Sequence, residues 1–349
     1  MRGDDKLMET KIYDLDKYDT NSRNGFYGGK AGSKEGISID GENWIVKYPK
    51  NTKGMRGKVA PYTTAPLSEY IGSHIYQMLG IDCHETILGI RNEKLVVACK
   101  DFCKEPGTLR EIRTIKNVYN KELSEKLDET LFSTSSSHIV SLEDIMTHLE
   151  HNPILKNIPD IKKRFWEQVV VDVYINNNDR NNGNWGILYE NDKNRLAPVF
   201  DNGAAFSNKL PDEVLLSYLQ SDEKMQKSID SSRTIYSIDE HELLAKDIVS
   251  LNNNDLNNVI IKLYPLIKSK RDKISDFIRK IPEKYNGVPV CSDIRKEFYI
   301  KTMNMREEQY FRPMYDKAMN SKKTILFGTT QNMPDYPQDE NIDEIKYND

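Results

Sequence analysis

Long apolar runs are missing from this 349-residue chain. The longest apolar-rich stretch, Val169 to Ile175, is interrupted by Asp172, and nothing approaches the ~18 uninterrupted apolar residues of a membrane-spanning helix. The opening segment, Met1 to Leu7, is polar and charged with no apolar signal core behind it, so a cytoplasmic location is expected. Basic excess is lacking too: 50 Lys and Arg against 54 Asp and Glu leave a net charge of −4, which disfavours direct nucleic-acid binding over a broad surface. Cysteine is scarce. The four, at 83, 99, 103 and 291, match neither a zinc knuckle nor a redox CxxC pair, and read as reduced structural thiols. Histidine offers one close pair, His148 and His151, but no third ligand stands nearby. An exposed polar helix face is expected there, not a metal site. No internal repeat is present.

What remains is an ordinary globular balance, 30% charged and 38% hydrophobic, in a chain long enough for two lobes. The first twenty residues read as an irregular arm. Gly25, Gly28, Gly29, Gly32 and Gly36 follow, and then apolar alternation on both sides of Asp40-Gly41 predicts a β-hairpin over 37–48. In its second strand Trp44, Val46 and Tyr48 share one face, which turns Lys47 to the other with Ile45. A basic loop spans 50–65, and Pro66 opens a helix that Gly80 stops. A second hairpin, 86–90 with 95–102, completes a small lobe of four strands and one helix. Helices are then predicted at about 108–130, 141–151 (with Ser141 and Asp144 as a capping box), 160–176, 210–220, 239–249, 254–281 and 291–319. A short hairpin pairs 185–189 with 196–200. The domain reading is 1–102, a lobe with the glycine-rich stretch and Lys47; 103–327, a helical lobe; and 328–349, a disordered tail with six acidic residues against one Lys. The fold class is α+β.

The chemistry concentrates in two polar segments, Asn176 to Gly186 and Asp201-Asn202-Gly203. Asp179 and Asn184 sit in a polar loop between an apolar helix and a strand. A hairpin brings Asn184 and Asp201 back to one site. Two oxygen donors beside a free carboxylate suit Mg²⁺, which takes few protein ligands and completes its shell with phosphate oxygens. The remaining carboxylate, Asp179, can orient a hydroxyl and accept its proton, as phosphoryl transfer requires. Gly28, Gly29 and Gly32 let backbone N–H groups approach phosphates closely. Lys47 can supply a point charge, held by Glu69 from the next helix; Glu35 and Glu85 are rivals for that pairing. Singly, each feature is common turn or surface chemistry. Their order is what carries the reading.

This arrangement resembles the catalytic loop and metal-binding triplet of protein kinases, in particular the HipA-like serine/threonine kinases of the CtkA type. The resemblance covers about residues 20 to 280. It rests on Gly28-Gly29-Lys30-Ala31-Gly32, Trp44 to Lys47, Ser68-Glu69-Tyr70, the Asp179 loop and Ala197 to Asp201. It implies a protein-kinase-like bilobal fold with ATP and Mg²⁺ in the cleft. It further implies Asp179 as catalytic base, Asn184 and Asp201 as metal ligands, and Lys47 on the ATP phosphates. Val97, Lys100 and Phe102 would form the adenine hinge. A protein acceptor bearing Ser or Thr, autophosphorylation and an antitoxin partner are further implications. Asn181 stands where HipA carries a His, and Gly29 where its regulatory Ser lies. Two other readings stay open: a phosphoinositide-like or small-molecule kinase, from Asp179-Arg180 with Asn184, and a nucleotide-binding pseudokinase or interaction module.

Overall fold

The structure, a computed structural model, describes residues 10–23, 33–105, 108–133 and 139–328, with side chains as far as residue 321. The strands β1 (Ile12–Asp14), β2 (Lys34–Ile39) and β3 (Glu42–Lys47) are followed by helix α1 (Ala65–Met78), then β4 (Thr86–Arg91) and β5 (Lys94–Lys100). They form one five-stranded sheet in the order β1-β4-β5-β3-β2. Asp40 and Gly41 take φ of 50° and 81° between β2 and β3, the turn that an Asp-Gly pair favours in a tight hairpin. The unforeseen strand is β1, which runs parallel to β4 with Ile12 opposite Leu88. Three residues are too few for alternation to show in the sequence.

The sheet has two apolar faces. Leu15, Ile37, Trp44, Val46, Val96 and Ala98 form a small core on one. Val97, Cys99 and Leu88 face the other, where α1 lays Leu67, Ile71 and Ile75, and this core runs on into the helical part. Those three α1 side chains are fully buried, each stabilising the packing by about 1.5–3 kcal/mol. The alternation that turns Trp44 and Val46 outward therefore sends Lys47 toward α1.

The helical part begins with β6 (Leu109–Glu111), α2 (Ile112–Leu127), β7 (Val140–Ser141), α3 (Leu142–His151) and α4 (Ile161–Ile175). Next come β8 (Gly186–Glu190), β9 (Lys193–Leu196), α5 (Asp212–Leu219), α6 (Asp222–Asp230), β10 (Arg233–Ile238), β11 (His241–Leu244) and α7 (Ala245–Ile248). The chain ends in α8 (Asn254–Arg279), β12 (Lys284–Tyr285), β13 (Val288–Pro289), α9 (Asp293–Arg306), a π turn at Glu307–Phe311 and α10 (Arg312–Gly328). Ser141 caps α3, its hydroxyl accepting from the Asp144 amide at 3.0 Å, but the expected box does not close, because Asp144 Oδ2 accepts from Lys116 Nζ at 3.1 Å and the Phe132 amide at 3.0 Å. No helix of the described residues is long and apolar enough to cross a membrane.

Three expectations are corrected. The helix foreseen over 239–249 is a β10–β11 hairpin leading into α7, which covers only Ala245–Ile248. The second strand of the 185–200 hairpin stops at Leu196; Pro198 has no N–H to donate, and Val199 bridges to Cys83 instead. His148 is not on an exposed face. It is fully buried, with Nε2 2.9 Å from Asn120 Oδ1 and Nδ1 3.2 Å from Asn152 Nδ2.

Candidate active site

The site is built where the α1 face of the sheet meets the loops that follow α4 and β9. Lys47 projects from β3 and its ammonium lies 3.1 Å from Glu69 Oε2, on α1. The same ammonium pairs with Asp201 Oδ1. Glu35 and Glu85 are elsewhere: Glu35 accepts from Arg91 Nε at 2.9 Å, and Glu85 lies 3.8 Å from Lys100. Burial by itself would push the Lys47 ammonium down, but the Asp201 and Glu69 carboxylates beside it raise it well above its ordinary value. For Glu69, burial pulls upward and is outweighed by Lys47 and the His84 hydrogen bond, so its carboxyl sits far below the usual range. Asp201 shifts down against its own burial, chiefly through Lys47. All three groups stay charged at neutral pH.

Glu69 uses both oxygens. Oε1 accepts from the Asn202 amide at 3.0 Å and lies 3.0 Å from His84 Nε2. Gly203 next door packs tightly on this carboxylate, since a Cβ would stand 3.2 Å from Glu69 Oε2 and push it aside by a few tenths of an ångström. The carboxylate thus touches the sheet, the helix and the Asp201-Asn202-Gly203 triplet together.

Asparagine chemistry shapes the second loop. Asn176 ends α4 at φ 57°, a left-handed conformation that Asn tolerates, and the Asn177 amide returns to the Asp172 carbonyl at 2.8 Å. Asn177 Oδ1 accepts from the Asp179 amide at 3.3 Å, and Asn181 Oδ1 from the Gly183 amide at 2.8 Å. These asparagines are turn formers, and the turns they form present Asp179. Asn181 Nδ2 donates to Asp179 Oδ1 at 2.9 Å, and Asn184 Nδ2 to the Asp179 carbonyl at 2.6 Å. Among the described residues Asn184 Oδ1 is left without a protein donor, and so is the second carboxylate oxygen of Asp201. Both side chains are partly solvent-accessible. A pair of unclaimed hard oxygens fits a small divalent cation.

Residues to which the sequence assigned no locking role hold these loops together. Arg180, 2% exposed, donates to Asp172 Oδ2 at 2.8 Å and Oδ1 at 3.1 Å. It also donates to the Asn184 carbonyl at 3.0 Å, the Phe200 carbonyl and Asn202 Oδ1 at 2.5 Å. One guanidinium therefore holds Asn184 and the residue preceding Asp201 side by side. Asp172 is further bonded by Tyr76 Oη at 2.8 Å and Asn177 Nδ2 at 3.0 Å. A carboxylate inside the otherwise apolar run Val169 to Ile175 was the available clue, because buried charge demands partners.

The structure does not gather every expected residue. Val97 lies opposite Lys47 on β5 and faces α1. Phe102 reaches the site by packing on Phe200, ring centroids 5.7 Å apart. Lys100 turns the other way, 3.8 Å from both Glu42 and Glu85. Gly28, Gly29 and Gly32 lie outside the described residues. Metal-ligating atoms of Glu69, His84 and Cys99 do fall within 4.8 Å of one another. With Lys47 bonded to the same carboxylate, and burial raising the Cys99 thiol, that cluster is unsuited to a cation. All four cysteines are free thiols.

A sheet lobe with an ion-paired lysine, joined to a helical lobe with an Asp loop and an Asp-Asn-Gly triplet, is the architecture of a protein-kinase-like fold. The comparisons agree. The serine/threonine-protein kinase CtkA of Helicobacter pylori is 28% identical over 305 residues, 86% of this chain and 86% of its own length. The crystal structure of this proinflammatory kinase superposes with a TM-score of 0.74 at 26% identity, covering 88% of this chain and 99% of that one. The HipA of a Shewanella oneidensis toxin–antitoxin complex matches at 13% identity and a TM-score of 0.48, over 83% of this chain and 68% of that one. No family model matches the chain. The resemblance to CtkA-type kinases holds in both sequence and fold.

Proposed function

We propose that the protein is an ATP- and Mg²⁺-dependent serine/threonine protein kinase of the CtkA type. The observation that carries this is the Lys47 ammonium held between Glu69 and Asp201, beside the Asp179–Asn184 loop. Lys47 takes the charge of the nucleotide phosphates, and Glu69 keeps it in place. Asn184 Oδ1 and the Asp201 carboxylate would hold the metal, which neutralises charge on the phosphates when bound. Asp179 orients the acceptor Ser or Thr hydroxyl and takes its proton as the hydroxyl oxygen bonds to the γ-phosphorus; the bond from that phosphorus to the bridging oxygen breaks and ADP leaves. Residues 1–102 and 103–327 would be the lobes on either side of the nucleotide, with Val97 and Phe102 at its adenine side. A cytoplasmic location goes with this reading.

The test is incubation of purified protein with γ-labelled ATP and Mg²⁺, alone and with cell lysate, beside Asp179→Ala. Label on the chain itself or on a lysate protein, lost in the variant while ATP still binds, is expected. Wild-type labelling by Asp179→Ala would refute the assigned base. ATP binding with no labelled protein would move the acceptor to a small molecule or lipid.

A further inference from the structure

Residues 49–64 carry Lys50, Lys53, Arg56 and Lys58 and no carboxylate, in a chain whose net charge is −4. This segment leaves β3 just after Lys47 and ends at α1. It is stitched at its base: the Thr63 amide donates to the Lys50 carbonyl at 2.9 Å, the Thr52 amide to the Pro61 carbonyl at 3.1 Å, and Asn51 bridges Tyr62. Thr52 is buried beneath, 4% exposed. The tip, 53–58, is exposed throughout.

The stem also docks on the stretch that follows the Asp201 triplet. The Ala60 amide donates to the Lys209 carbonyl at 2.9 Å, the Thr64 amide to the Asn208 carbonyl at 2.8 Å, and Asn208 Nδ2 to the Gly203 carbonyl at 2.5 Å. Lys209 is exposed and adds a fifth cation to the rim. Among the described residues none of the five pairs with a carboxylate. Elsewhere on the surface Lys162 meets Glu150 and Arg195 meets Glu190. Met55 and Tyr62, 42% and 46% exposed, lie on the same segment and offer apolar contacts between the charges.

We propose that this rim docks the acceptor protein through an acidic segment, Asp or Glu residues flanking the phosphorylated Ser or Thr. The inference rests on the kinase reading for the identity of the partner. The charge carries the sign of the ligand. The stem's bonds to residues 208 and 209 place the rim beside the triplet. Nucleic acid is disfavoured, since single strands need several stacking aromatics along a basic groove and Tyr62 stands alone here.

The experiment is fluorescence polarisation on the full chain, with labelled 15-residue peptides holding one Ser flanked by Glu or by Gln, and with a single-stranded oligonucleotide. The wild type is compared with the Lys53→Glu/Arg56→Glu/Lys58→Glu variant and with Lys209→Glu. Each exposed pair contributes a factor of about two to five, so the Glu peptide should bind the wild type about tenfold more tightly than the Gln peptide. That preference should vanish in the triple variant, shrink in Lys209→Glu and weaken with salt, while ATP binding and thermal melting stay unchanged. Equal binding of the two peptides, or a preference that survives charge reversal, overturns the proposal. Tighter binding of the oligonucleotide overturns it too. Because binding is read and not turnover, a failed phosphorylation assay counts against the kinase reading and leaves this result standing.

Discussion

Replacing Arg180 by Met should separate the energetics of the buried lock from the chemistry it supports. The guanidinium makes five hydrogen bonds, two of them to Asp172, and both side chains are almost fully buried. Most of the cost comes from what is left behind. Asp172 would keep Tyr76 Oη and Asn177 Nδ2 but lose the cation that pairs with it, and breaking a buried pair in this way costs about 3–5 kcal/mol. At about 2 °C per kcal/mol in a chain of this size, the melting temperature should fall by about 6–10 °C. Asp172→Asn in the same chain removes the orphaned charge and keeps an oxygen for Tyr76. The double variant should therefore recover at least about 1 kcal/mol over Arg180→Met, leaving mainly the lost bonds to the 184 and 200 carbonyls and Asn202, each about 1 kcal/mol. The assay is urea unfolding of the two single variants, the double variant and the wild type. A double variant as unstable as the sum of its parts, or Arg180→Met costing under about 1 kcal/mol, would refute the reasoning.

Two further outcomes follow from other groups. Lys47→Met should lower kcat/KM about 10²–10³-fold, and adding Glu69→Gln should change it little further, because the lysine contact is already gone and the amide oxygen of Gln can still accept from the Asn202 amide; independent, multiplying losses would contradict that. Burial, with Lys116 adding to it, pushes His148 down to about 3. Its depressed value means that the folded chain refuses a proton which the unfolded chain accepts from about pH 6.5 downward. This contribution is complete above pH 6.5 and is lost as pH falls toward 3. By pH 5 the loss is about 2 kcal/mol. His148→Gln should show a flatter fall in its urea midpoint between pH 7.5 and 5; identical slopes would exclude the mechanism.

How far the sequence could be read depended on how local each determinant is. Helices α4 and α8 follow from apolar spacing within a few turns, and β2–β3 from Asp40-Gly41. The β10–β11 hairpin escaped because its turn is Asp239-Glu240, held at φ 46° and 64° without the Gly or Asn that marks such turns. His148 looked like surface because its partner Asn120 comes from another helix, 28 residues away. In the site, Lys47, Glu69, Asp179, Asn184 and Asp201 carry recognisable chemistry in a recognisable order. Arg180 and Asn202 were legible only as letters inside motifs, since what they do depends on Asp172 and Glu69, brought near by folding.

The double engagement of Glu69 makes helix α1 a coincidence detector. Its two oxygens report on different parties, Lys47 on the sheet side and the Asn202 backbone on the loop side. If α1 swings away, Lys47 is left with Asp201 and the Asn202 amide loses its carboxylate acceptor in the same movement. Anything that grips α1 therefore bears on both contacts at once.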